Sequence, residues 1–289
     1  MSRGPGATLT FRNASMTDRS PTVEQTPSAV FTRQADAWHP SVLSRGPWDP
    51  RAQHGGAPCG LLVHVAEQAM GEPGWQLGRL TVELVRPVPV SPLRTELVKQ
   101  GSRATARLSI DLFDGSTLVA RAHALMLRQQ AMQLPEGVPG WTPDRLLPLP
   151  ADCGERLRIP GLPEGVSFYG SAVETRNAQG DPSQPGGGAA WFRLVVPFVE
   201  GMPTSPAMRA IAAADFGNGL SWVLPAKRFV FANADLSLHL HRLPVGEWIG
   251  LQSQTQVDAS GAGVTLSRLF DEQGSIGVAA QTLVLRERS

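Results

Sequence analysis

Two stretches of this chain occur twice. LTVELVRPVPV at 80–90 aligns with LSLHLHRLPVG at 236–246, pairing Leu80 with Leu236, Leu84 with Leu240 and Arg86 with Arg242. LFDGSTLVARAHALMLR at 112–128 aligns with LFDEQGSIGVAAQTLVLR at 269–286, pairing Phe113 with Phe270, Asp114 with Asp271 and Arg128 with Arg286. The offset is 156 at Leu80 and 158 at Arg128, a drift that one- or two-residue changes in turn length produce. Upstream of each first block lies a helix candidate opened by proline, Pro58 in HGGAPCGLLVHVAEQAM and Pro206 in TSPAMRAIAAADFG, with Ser205 placed to cap the second.

Each copy therefore reads as an early strand, a helix, then three or four long strands of two-residue alternation joined by short turns. That is the pattern of antiparallel meanders, and one helix cannot serve as crossover for several parallel strands. The expected class is α+β, with two tandem antiparallel sheets, each wrapped around a central helix. Residues 130–163 carry seven prolines and few periodic apolar positions, as a linker does. The expected organisation is a disordered tail over 1–28, an N-terminal unit over 29–129, the Pro-rich linker, and a C-terminal unit over 164–289. VSFYGSAVETRNAQG should open the second unit, and GDPSQPGGG at 180–188 should form a flexible turn before the strand AAWFRLVVPFV.

Composition excludes several function classes. A formal net charge of +1, with Lys99 and Lys227 the only lysines, gives no electrostatic case for nucleic acid or an anionic membrane. Two cysteines, Cys59 and Cys153, make neither a disulfide framework nor a four-cysteine zinc site. No signal-like or membrane-spanning apolar run is present, so a soluble cytoplasmic protein is expected.

The second helix candidate carries a chemical oddity. At 100° per residue, Met208, Ile211, Ala212 and Phe216 form one stripe, and Asp215 falls near its middle. A carboxylate there loses hydration and faces the negative end of its own helix dipole. Both effects cost stability, so a function should keep it there.

These features together resemble the double hotdog acyl-CoA thioesterases, most nearly the TesB-like group: the helix opened by Gly-Gly, the strand ending in an Arg-Pro type corner, and their recurrence after about 150 residues. ADFGNGL, ANADLSLHLHRLPVGEW and GVAAQTLVLR resemble that group's second helix, following strand and final strand. The likeness spans roughly 30–128 and 164–287. It implies a water held and activated by an aspartate, a hydroxyl residue and a glutamine, here Asp215, Asn233 and Gln281. Asparagine at 233 departs from the pattern, because it can position a water but offers no hydroxyl. The implied substrate is a fatty acyl-CoA or related thioester, with no cofactor and no metal. A desolvated aspartate with a raised pKa would serve as base.

Further expectations are more local. Gly55 and Gly56, at the start of the first helix, could offer N–H groups to an oxyanion, and Phe216 and Trp222 could wall the acyl pocket. Gln281 shares its strand face with Ala279, Leu283 and Leu285, and its counterpart in the first copy is His123, read as a satisfied core histidine. Glu67 matches Asp215 when the prolines are superposed, but it points away from the stripe Leu61, Leu62, Val65, Ala66 and Ala69, and reads as a solvated acid. Cys59 reads as a packing residue, and His239 with His241 as an exposed pair without a third metal ligand. Two rival functions stay open: a non-catalytic acyl-CoA or acyl-carrier binding protein, and a hydratase using Asp49 and His54. Assembly into a homo-oligomer through sheet edges is a further expectation.

Overall fold

The computed structural model describes residue 1 and residues 27–47, 49–137, 147–154, 156–159 and 165–288. The expected N-terminal tail lies almost wholly outside the described residues. The first half supplies β1 (Phe31–Gln34), β2 (Ala37–Pro40), α1 (Gly56–Gln68), β3 (Trp75–Glu83), β4 (Leu93–Gly101), β5 (Thr105–Asp114) and β6 (Thr117–Arg128). The second supplies β7 (Val173–Gln179), β8 (Gly188–Leu194), α2 (Pro206–Ala214), α3 (Gly217–Leu220), β9 (Phe229–Asn233), β10 (Asp235–Leu240), β11 (Trp248–Val257), β12 (Ala262–Asp271) and β13 (Gly274–Glu287).

The expectation of two separate sheets is corrected. All 13 strands form one antiparallel sheet, ordered β1-β2-β4-β5-β6-β3-β10-β13-β12-β11-β8-β7, with β9 paired to β13. The seam is β3 against β10, with Leu80 opposite Leu238 and Thr81 opposite Ser237. These are the strands that the first repeat block aligns. Each would be the edge of its own half, with a row of unpaired N–H and C=O groups, and pairing the two edges satisfies both. From the seam the order runs symmetrically outward, β6, β5, β4 on one side and β13, β12, β11 on the other.

Register also corrects the repeat alignment. The β5–β6 turn closes at Asp114 opposite Thr117, and the β12–β13 turn closes at Asp271 opposite Gly274, so the two turns have equal length. Counting back from them, Leu108 opposite Ala124 corresponds to Thr265 opposite Gln281. The counterpart of Gln281 is thus Ala124. His123 lies one residue out of step, which in a strand means the other face, and it is exposed with Nδ1 3.2 Å from Ser109 Oγ.

Helices α1 and α2 pack on each other and against the sheet, α1 on β3, β5 and β6, α2 on β8, β10, β11 and β12. They run antiparallel, the start of α1 lying against the end of α2. Close approach depends on glycine: a Cβ on Gly56 would come 2.8 Å from the Ala212 carbonyl oxygen, and one on Gly60 would come 2.2 Å from the Phe198 ring. Ser205 caps α2 by accepting from the Met208 N–H at 3.1 Å, ahead of Pro206 in the first turn. The second helix does not run unbroken to its glycines; α2 stops at Ala214, Asp215 is the cap, and Gly217 begins the separate turn α3.

Of the expected linker, the described residues 147–154 and 156–159 pack on the second half, while 130–137 are exposed. Leu157 is fully buried, the Trp191 indole donates to Pro148 O at 2.8 Å, Arg176 to Pro150 O at 2.8 Å, and the Tyr169 hydroxyl to Leu157 O.

Candidate active site

Asp215 is 6 % exposed and stands where three elements and a loop converge. Its Oδ2 accepts from the Gly56 N–H at 2.7 Å and lies 2.9 Å from His54 Nδ1, both at the start of α1. Its Oδ1 accepts from Asn233 Nδ2 at 2.8 Å, from the end of β9. Gln281 Nε2, on β13, reaches Oδ1 at 3.4 Å and the Asp215 carbonyl at 3.3 Å. The amide's Oε1 accepts from the Asn218 N–H at 3.1 Å, which ties α3 to the same strand. The structure therefore brings together Asp215, Asn233 and Gln281 from positions 18 and 66 residues away from the acid.

The energetic puzzle of this acid has a geometric answer. It sits at the unfavourable end of α2 but at the N-terminus of the antiparallel α1, whose N–H groups and dipole favour an anion. Glycine is needed here too, since a Cβ on Gly55 would lie 2.8 Å from Oδ2 and 2.9 Å from Oδ1.

Burial is the largest single influence on the Asp215 pKa and pushes it up. The His54 charge and the hydrogen bonds from His54, Asn233 and Gly56 together outweigh it, so the carboxyl is held below its ordinary value. This reverses the expected raised pKa: a carboxylate accepting several hydrogen bonds keeps its charge.

His54 is the residue that sequence reasoning placed elsewhere. Its ring packs against both Phe216, with centroids 4.5 Å apart, and Phe168 at 5.2 Å. Its backbone N–H donates to Ser44 O at 2.9 Å. The Gly56 N–H lies 2.7 Å from Asp215 Oδ2 and 3.1 Å from His54 Nδ1, and the charge-assisted contact is the shorter. Assigning the ring proton to Nδ1 gives the 2.9 Å contact to Oδ2 its donor and leaves Nε2 as an acceptor. Asp49, the partner proposed for His54 in a hydratase, is instead half-buried and paired with Arg51 at 3.0 Å. The signal for His54 was its place directly before two glycines at a helix start.

Other expected residues fall as follows. Phe216 is buried in the aromatic group that holds His54. The Trp222 indole donates to Pro182 O at 3.0 Å, pinning the 180–188 turn. The Gly56 N–H is engaged by Asp215, so an oxyanion role at the glycine pair would rest on Gly55. Glu67 is half-buried, not solvated, and burial raises its pKa to about 7. Cys59 is fully buried, and burial together with the nearby Asp215 charge drives its thiol pKa well up, as suits a packing residue. His239 and His241 are exposed, and no metal-binding cluster occurs among the described residues.

A helix-filled antiparallel sheet of this kind is shared with solved hotdog proteins. A conserved protein of unknown function with hot dog fold from Alicyclobacillus acidocaldarius is 16% identical, with a TM-score of 0.66 over 91% of this chain and 97% of that one. A candidate thioesterase from Novosphingobium aromaticivorans is 22% identical, with a TM-score of 0.69 over 89% and 98%. Acyl-CoA thioesterase II of Mycobacterium marinum is 16% identical, with a TM-score of 0.57 over 89% and 95%. No curated protein matches the chain in sequence. Residues 44–127 match the acyl-CoA thioesterase N-terminal domain and residues 143–285 the acyl-CoA thioesterase C-terminal domain. The chain belongs to the acyl-CoA thioesterase family, whose members are thioester hydrolases. No helix among the described residues is long and apolar enough to cross a membrane.

Proposed function

We propose that the centre built on Asp215 catalyses this hydrolysis in the cytoplasm, within a double hotdog whose units are residues 29–129 and 164–289. A water attacks the thioester carbonyl carbon while His54 Nε2 takes its proton, and Asp215 holds the imidazole and offsets its positive charge. Asn233 and Gln281 hold Asp215, and the Gly55 N–H meets the carbonyl oxygen as it becomes negative. The carbon–sulfur bond then breaks, and the imidazolium returns its proton to the departing thiolate, giving a carboxylic acid and CoA. The 2.9 Å contact between His54 and Asp215 carries this reading, because a carboxylate held in its charged form orients a base better than it serves as one.

General-base help of this kind supplies ~10²–10⁴ in rate. His54→Gln should therefore lower kcat for thiol release at least a hundredfold, and near-wild-type turnover would overturn the assignment. A second reading is favoured by the long 3.4 Å contact from Gln281 to Oδ1, which leaves the attacking water room on Asp215 itself. In that case His54→Gln keeps most of its activity while Gln281→Ala loses it. Thermal protection by acyl-CoA, with no thiol released at any chain length, would mark a binding protein instead.

A further inference from the structure

The outer face of the sheet, turned away from the helices, is banded by charge. Cross-strand register places three rows of side chains next to one another over the central strands. The first row holds Arg107, Arg79, His239 and Arg268, with Leu125 and Val278 between them and no carboxylate. Two residues further along each strand, the second row holds His123, Thr81, Ser237, Ala280, Leu266 and Gln254, without an arginine, lysine or acid. After two more residues comes the third row, with Glu96, Asp111, Arg121, Glu83 and Asp235. One edge of the face is basic and the other is acidic.

The stability of a single chain does not account for this separation. Asp111 and Arg121 stand directly opposite on neighbouring strands and meet at 2.6 and 2.7 Å, as charges placed to serve the monomer do. Arg79 and Glu83 are instead four residues apart on β3, about 13 Å along an extended strand. That exceeds the screening length of about 8 Å at physiological salt. Among the described residues the buried Arg79 Nε has no hydrogen-bond partner, and Glu83 is exposed. On β10, His239 and Asp235 repeat the arrangement beside them, His239 opposite Arg79 and Asp235 opposite Glu83. Between the two charged rows Leu266 stands 60 % exposed, a cost in water that a covering surface would remove.

We infer that a second copy of the chain packs on this face, about a twofold axis that runs along the middle row. Rotation about that axis sets Arg79 over Glu83 of the other copy and His239 over its Asp235, each contact made twice, while Leu266, Ala280 and Ser237 meet their own counterparts. The strands of the two copies then run within about 30° of each other, as in aligned sheet packing. A twofold axis parallel to the strands would lay arginines on arginines and acids on acids. Charge thus selects both the axis and the partner: a fitting surface must carry the same bands in reverse, and the rotated copy does. The face replaces the sheet edge as the expected route of assembly. At the β1 edge the backbone is already engaged, Phe31 N–H donating to Phe198 O and Glu200 N–H to Phe31 O, each at 2.9 Å. The inference is independent of the proposed hydrolysis, because Asp215 lies on the helix side of the sheet.

The test is sedimentation velocity on the full chain over a dilution series at physiological salt. A reversible dimer of twice the 30.9 kDa chain mass is expected. A chain that stays monomeric at every concentration overturns the inference and leaves the face to a different protein. Arg79→Glu and Glu83→Arg should each raise the dimer Kd at least tenfold, since each lays like charge on like, and the double variant should restore wild-type affinity. A dimer indifferent to the single variants, or a double variant no tighter than either, overturns it. Where a melting curve shows that a charge reversal disturbs the fold, Leu266→Arg decides instead: the side chain is exposed in the monomer but faces its own counterpart across the axis. Its Kd should also rise at least tenfold, and an unchanged Kd overturns the inference.

Discussion

At the scale of the residue, Asp215 is a carboxylate whose two oxygens both face N–H donors. Replacing it by asparagine turns the amide NH2 toward either Gly56 N–H or Asn233 Nδ2, whichever way the amide is flipped. Asp215→Asn should therefore do two things at once: lower kcat at least tenfold, and destabilise the fold by about 1–3 kcal/mol. Thiol release together with a melting curve checks both, and a variant with unchanged melting would show that the four-donor cage does not hold. The pH dependence has a definite sign. Because the folded pKa is lowered, the carboxylate contributes stability above its unfolded value of 3.8, lost as pH falls below that value. Gly55→Ala should mimic the catalytic defect by displacing the carboxylate, since the new methyl has no place beside Oδ2. Wild-type turnover in Gly55→Ala would contradict that close approach.

At the scale of the element, the antiparallel helix pair explains a second acid. The end of α2 places Asp215 at the start of α1, and the end of α1 places Glu67 beside Ser205, the cap of α2. The two acids are counterparts across the pair but have different company. Where Asp215 has Asn233 and Gln281, the register-matched positions of the first half are the hydrocarbon residues Leu77 and Ala124, both buried. Burial thus dominates at Glu67, its pKa rises from 4.5 to about 7, and the Ser205 hydroxyl offsets only part of the rise. Below pH 4.5 both folded and unfolded chains hold the proton. Between there and pH 7 only the folded chain does, so stability falls as pH climbs through that window and stays reduced above it. The shift corresponds to at most about 3 kcal/mol. Glu67→Gln should raise the melting temperature at pH 8 and leave it nearly unchanged at pH 4.5; a melting curve at each pH decides. The superposition of prolines had matched these two acids in the sequence. Helical phase then misassigned Glu67 to solvent, because a wheel cannot show that a second helix covers the flank of the first.

At the scale of the whole molecule, the two halves share the β3–β10 seam and the α1–α2 contact, so neither half buries its own edge strand or helix face alone. Unfolding in urea should follow a single transition by both tryptophan fluorescence and backbone circular dichroism, and two resolved transitions would refute that coupling. What could be read along the chain was whatever repeats or alternates locally: the duplicated blocks, the proline-opened helices, the antiparallel turns, and the presence of Asp215 on an apolar stripe. Even there a single-residue slip put His123 in place of Ala124, since alignment by similar letters does not feel the pleat. Strands β11 and β12 were harder still, because Val264 and Leu266 face outward while Thr265 and Ser267 face the helices, inverting the usual rule. The joining of two sheets into one, the lowering of the Asp215 pKa, and the meeting of that acid with His54 were decided only in three dimensions. Each depends on groups far apart in sequence coming within hydrogen-bond distance, and no local periodicity carries that information.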